Sequence, residues 1–107
     1  MEQPAFKNDR AISEVMQKAS LFIQRESNGQ SMVTVTNAIA SSDFKNVTIF
    51  VTVFPVHKEE AAIDFLKRQR KEFKHFIKKE TRLGRIPQFD FMIDEGEKSR
   101  QRIDELL

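Results

Sequence analysis

From Asn46 to Phe54 the side chains alternate without interruption, Val47, Ile49, Val51 and Val53 on one side and Thr48, Phe50, Thr52 and Phe54 on the other. A helix would scatter these residues around its circumference, whereas a strand sorts them onto two faces. Pro55 ends the run, because proline has no N–H to continue a ladder. Met32 to Ala40 predicts a second strand, with Val33, Val35 and Ile39 sharing one face and Thr34 and Thr36 favouring the extended state. Ser41-Ser42-Asp43 is a turn cluster between the two, so they are expected to pair as an antiparallel hairpin.

The flanking segments change period. Between Asn8 and Glu26 the apolar residues fall at Ile12, Val15, Met16, Ala19, Phe22 and Ile23, the spacing of an amphipathic helix. Asn8 or Asp9 suits its N-cap, and Ser27-Asn28-Gly29 its stop, with Gly29 fit for a left-handed position. A second, long helix is expected from Lys58 to about Lys79, with Ala62, Phe65, Leu66, Phe73, Phe76 and Ile77 facing inward and a gap in the seam at Gln69. Pro87 marks the start of a third strand, with Phe89, Phe91 and Ile93 inward. Asp94-Glu95-Gly96-Glu97 then turns the chain into a short terminal segment, Arg100 to Leu107. Two readings of it stand side by side: Ile103, Leu106 and Leu107 cap the core, or Arg100 and Arg102 touch RNA. The order is α-β-β-α-β, with a break inside the second helix left open, an α+β class in which a helical layer covers a three-stranded sheet.

At 107 residues the chain has the size of one compact domain, here residues 1–107. It contains no Cys, which excludes disulfides, thiolate metal sites and a cysteine nucleophile. His57 and His75 are eighteen residues apart, and neither has a ligand-type neighbour at the spacing a metal needs, so both read as surface residues. Gly29, Gly84 and Gly96 are scattered and form no phosphate-binding loop. Asp94, Glu95 and Glu97 read as a solvated cluster. No constellation predicts catalysis, a metal, a cofactor or a small-molecule substrate. No apolar run approaches the roughly 20 residues that span a bilayer, and Met1-Glu2-Gln3-Pro4 lacks a secretory pattern. A cytoplasmic location is the expectation.

The charge is unevenly placed. Lys67 to Arg85 holds nine Lys/Arg against two Glu, a local balance of +7, while the other 88 residues balance at −5. On a helix, Lys67, Lys71, Lys74 and Lys78 fall on one stripe nearly opposite the Phe65/Leu66/Phe73/Ile77 seam. Arg68 and Lys79 flank the stripe, Arg70 lies nearer the core boundary, and Arg82 and Arg85 extend it. Solvated faces usually mix signs, and like charges at i, i+4 cost a few tenths of a kcal/mol per pair. The stripe therefore points to a polyanion. A membrane-surface helix would need its apolar face free, and this helix needs that face for the sheet. Nucleic acid fits better. No aromatic interleaves the stripe, so contact is expected with phosphates rather than stacked bases, and specificity would come from RNA shape.

Arg85-Ile86-Pro87-Gln88-Phe89-Asp90-Phe91-Met92-Ile93-Asp94 with the terminal Arg102-Ile103-Asp104-Glu105-Leu106-Leu107 resembles the ribosome-binding factor A family. So do Met32-Val33-Thr34-Val35-Thr36, the Asp43-to-Val53 strand, and the first helix from Arg10 to Gln24-Arg25-Glu26. The blocks cover essentially the whole chain in order. The resemblance implies a type II KH-like fold and a cytoplasmic assembly factor, not an enzyme, and a monomer is the expectation. It would bind the small (30S) ribosomal subunit late in maturation, assist processing of the 16S rRNA 5′ end and cold adaptation, and leave before translation. A permanent ribosomal or general RNA-binding protein is the alternative, and a His57/His75 endonuclease a remote third. Two departures stand out. Where the family kinks its second helix with an Ala-x-Gly element, this chain has Gln69-Arg70-Lys71; Lys in place of Gly favours helix by roughly 0.7–1 kcal/mol, so an unbroken helix is expected. The usual Asp-Pro-Arg loop after the first helix is shortened to Ser27-Asn28-Gly29-Gln30-Ser31.

Overall fold

The structure, a computed structural model, describes residues 3–26 and 29–106. The elements in order are α1 (Gln3–Glu26), β1 (Met32–Ala40), β2 (Asn46–Phe54), a 3-10 turn (Val56–Lys58), α2 (Glu59–Arg68), α3 (Arg70–Glu80), β3 (Gln88–Ile93) and α4 (Glu95–Leu106). The sheet order is β1-β2-β3. β1 and β2 form the expected antiparallel hairpin, and β3 lies parallel to β2. A parallel neighbour requires a crossover, which α2 and α3 provide. The class is α+β with a mixed three-stranded sheet under helices.

The alternation of β2 sorts as its pattern dictates, with Val47, Ile49, Val51 and Val53 buried beside Phe89 and Phe91 of β3. Val15, Ala19, Phe22 and Ile23 of α1 close over them, with Leu66 of α2 and Phe73 and Ile77 of α3. Phe73 sits at the centre, its ring 4.7 Å from Phe89, 5.2 Å from Phe22 and 5.6 Å from Phe91, all edge-on. Each fully buried side chain of this size contributes about 1.5–3 kcal/mol.

Four expectations are corrected. α1 begins at Gln3, so Asn8 and Asp9 lie within the helix rather than at its cap; Pro4 fits this first turn, where its missing N–H costs nothing. Ser27 and Asn28 fall outside the described residues, while Gly29 does take a positive φ of 79°. In β1 the pairing slips between Val35 and Asn37, leaving Thr36 as an extra residue. This bulge reverses the alternation beyond it: Ala38 faces Ile49 and is 7% exposed, whereas Ile39, expected inside, is 56% exposed.

The long helix is broken. Gln69 stands between α2 and α3 at φ −92°, ψ 6°, and its N–H is shared by the carbonyls of Phe65 (3.1 Å) and Leu66 (3.0 Å). Helix propensity at this position is worth under about 1 kcal/mol. Leu66, at i, and Phe73 and Ile77, at i+7 and i+11, share the core on either side of Gln69, so the break leaves the apolar seam intact and forgoes only that small propensity. The terminal segment is also longer than expected. Asp94 is the start of α4, not part of a turn: its carboxylate accepts the Glu97 N–H at 3.0 Å and its carbonyl accepts the Lys98 N–H at 3.0 Å. Ile103 and Leu106 are 57% and 81% exposed and do not cap the core; Leu107 lies outside the described residues.

Candidate nucleic-acid interface

The end of α2, the length of α3 and the first halves of β2 and β3 enclose an open groove of about 1160 Å³. That exceeds the usual 300–1,000 Å³ of a small-ligand pocket. Lys67 and Arg68 come from the last turn of α2, and Arg70, Lys71, Lys74 and Lys78 from α3. Asn46 and Thr48 of β2 and Gln88 and Asp90 of β3 form the opposite wall. The break at Gln69 therefore leaves the four-lysine stripe on one surface. Six of the nine basic residues singled out from the sequence meet here. Lys79, Arg82 and Arg85 are exposed but do not line the groove.

The six cations are not equivalent. Lys67 Nζ lies 2.7 Å from Asp90 Oδ1, and Arg70 Nη1 lies 3.3 Å from the same oxygen. Arg70 Nε also donates to the Lys67 carbonyl at 3.0 Å, spanning the helix break. Burial pushes the Asp90 carboxyl up. The Lys67 hydrogen bond, the Phe91 N–H and the two positive charges outweigh it, and hold the group below its ordinary range. Among the described residues, Arg68, Lys71, Lys74 and Lys78 have no carboxylate within ion-pair distance. Their charge is available to a ligand.

Asp90 is the residue that sequence reading passed over. Its place between Phe89 and Phe91 marked it as facing away from the core, but nothing local to it names partners 20 and 23 positions earlier. His75 lines the groove and is exposed, and His57 is exposed on the 3-10 turn. Among the described residues there is no group of three or more His, Asp or Glu arranged to hold a metal ion. No described helix is long and apolar enough to cross a membrane. What the groove can do chemically is hold phosphates: Arg68, Lys71, Lys74 and Lys78 line it without carboxylate partners among the described residues.

The strand order, the parallel β2–β3 pair and the crossover helices define a KH-like α+β protein with a cationic groove beside its sheet. The family model for ribosome-binding factor A matches residues 7–107, and the chain belongs to that family. The ribosome-binding factor A of Brevibacillus brevis is 30% identical over 101 residues, covering 92% of this chain and 84% of that one. The crystal structure of ribosome-binding factor A from Thermus thermophilus superposes with a TM-score of 0.72 at 20% identity, over 79% of this chain and 92% of that one. A Thermotoga maritima protein proposed to be a ribosome binding factor A, solved by NMR, gives 0.65 at 22% identity, over 78% and 83%. A Thermus thermophilus homology model fitted into a cryo-EM map of a 30S complex gives 0.67 at 21%, over 76% and 88%. The expected family and fold are thereby confirmed.

Proposed function

We propose that this protein is a single-domain, monomeric assembly factor that docks on the immature small ribosomal subunit in the cytoplasm and assists maturation of the 16S rRNA 5′ end. The observation that carries the reading is the groove, where Arg68, Lys71, Lys74 and Lys78 line one open surface without carboxylate partners among the described residues. Family membership supplies the ribosomal context, and the Thermus relative was placed in a map of a 30S complex.

Lysines on a helix meet phosphates as point charges, which position a protein without reading bases. Lys79, Arg82 and Arg85, exposed next to the groove, would extend the contact along the RNA. Binding would favour the rRNA conformation for which the protein has higher affinity, shifting the population toward it and blocking premature use of the subunit. This mechanism requires no catalytic residue.

Co-sedimentation with purified small subunits and with 70S ribosomes tests the reading. Capture by small subunits alone is expected, weakening about 100-fold between 50 and 200 mM salt if some four phosphates are neutralised. The double variant Lys71→Glu/Lys74→Glu is expected to lose at least roughly 100-fold in affinity while keeping its circular dichroism. Equal retention on 70S ribosomes, or undiminished binding by the double variant, would overturn it.

A further inference from the structure

A groove built to hold phosphates gains nothing, for affinity alone, from a carboxylate on its wall. Asp90 places one there. Its Oδ1 takes Lys67 at 2.7 Å and Arg70 at 3.3 Å, and also accepts the Phe91 N–H at 2.8 Å, which fixes its orientation. The side chain is 41% exposed, so it is a groove-facing anion and not a buried structural one. Its two partners stand on either side of the Gln69 break, at one end of the cationic stripe. Lys71, Lys74 and Lys78 continue away from it.

We propose that Asp90 is a specificity-determining residue of the groove, an internal anion that occupies Lys67 and Arg70 and so restricts RNA to the Lys71–Lys74–Lys78 end. The proposal rests on the phosphate-binding reading above and deepens it. A phosphate arriving at Lys67 and Arg70 must either displace the carboxylate or lie against its charge, and both lower its affinity. A phosphate arriving at Lys71, Lys74 or Lys78 meets neither obstacle. An RNA of arbitrary shape, which would spread over every available cation, loses two contacts. An RNA whose backbone follows the far end of the stripe loses none. Discrimination therefore comes from a repulsive element placed against the wrong ligand, in addition to attraction for the right one.

Asp90→Asn removes the charge and keeps an oxygen for the Phe91 N–H. The probes are a 20-nucleotide oligouridine and purified small subunits, each titrated with the wild-type protein and the variant across a salt series. Freeing two cations is expected to tighten oligouridine binding about ten-fold at 50 mM salt and to steepen the salt slope by about 1.4 for a single strand. The gain on small subunits is expected to be smaller, so the ratio of the two affinities falls. Adding Lys67→Met and Arg70→Met to the variant is expected to return the oligouridine slope to the wild-type value, which a merely structural role for Asp90 would not produce. Asp90→Ser serves as a second variant should Asp90→Asn fail to fold. Unchanged or weaker oligouridine binding by a folded variant overturns the role of Asp90 and leaves the phosphate groove standing. Failure of the wild-type protein to bind either RNA overturns both.

Discussion

Phe73 shows how much of this fold depends on one side chain. It has no exposed surface, and its ring joins α3 to Phe22 of α1 and to Phe89 and Phe91 of β3. Truncation would remove the aromatic contacts and leave a cavity bounded by three rigid rings with little freedom to collapse. Phe73→Ala is expected to cost about 3–5 kcal/mol in urea unfolding, a large share of the roughly 5–15 kcal/mol that holds a typical domain. A loss under about 1 kcal/mol would show that the cluster is not the centre of the core. Asp94 acts at the same scale on a different element. Its carboxylate accepts the Thr36 hydroxyl and caps α4 through the Glu97 N–H. The Thr36 hydrogen bond, then the Glu97 N–H, hold its carboxyl below the ordinary range against a smaller effect of burial. One side chain thereby ties the bulge of β1 to the start of the last helix.

Between elements, the bulge at Thr36 is the feature with the sharpest consequence. Beyond it the inward positions of β1 are even-numbered, so a change at Ile39 and a change at Ala38 should differ in a way that regular alternation would reverse. Ile39→Thr keeps a β-branched residue on the solvent face and is expected to cost no more than about 0.5–1 kcal/mol. Ala38→Leu forces extra methylenes against Ile49 and is expected to cost about 1–3 kcal/mol. Thermal or urea unfolding of the two variants reads the order directly; a costlier Ile39→Thr would mean an unbulged strand. The break at Gln69 belongs to the same scale. Helix propensity argued for continuity, but it is worth under about 1 kcal/mol, and Leu66, Phe73 and Ile77 reach the core on either side of the break, so burial does not enforce continuity.

Across the whole molecule, apolar residues from α1, α2, α3, β1, β2 and β3 share one cluster. A single-domain reading predicts that far-UV circular dichroism and the near-UV signal of its Phe residues are lost in one coincident transition on heating. The enthalpy expected is about 60–80 kcal/mol for a chain of this size. Two separated transitions would divide the chain into independent units. The same scale sets the electrostatics. A chain with a net charge of only +2 presents a groove with four cations that have no carboxylate partner among the described residues, because folding gathers six of the nine basic residues of one segment beside the sheet.

The elements themselves were legible because their cause is local. The alternation of β2, the helical period of α1 and the apolar run of β3 each compare neighbours a few positions apart, and those spacings survive folding unchanged. So was the placing of the four-lysine stripe on one surface, since Lys67, Lys71, Lys74 and Lys78 line one groove with Arg68 and Arg70. The faces and partners were decided only by tertiary structure. The inward turn of Ala38 needed β2 as a ruler, and the partners of Phe73, Phe22 on α1 with Phe89 and Phe91 on β3, came only with the fold. The α4 cap at Asp94 gained its second tie from Thr36, 58 positions away. The carboxylate in the groove acquired its meaning from Lys67, 23 positions earlier. Periodicity records which side chains must leave water; which neighbours they find there depends on contacts between residues that only the folded chain brings together.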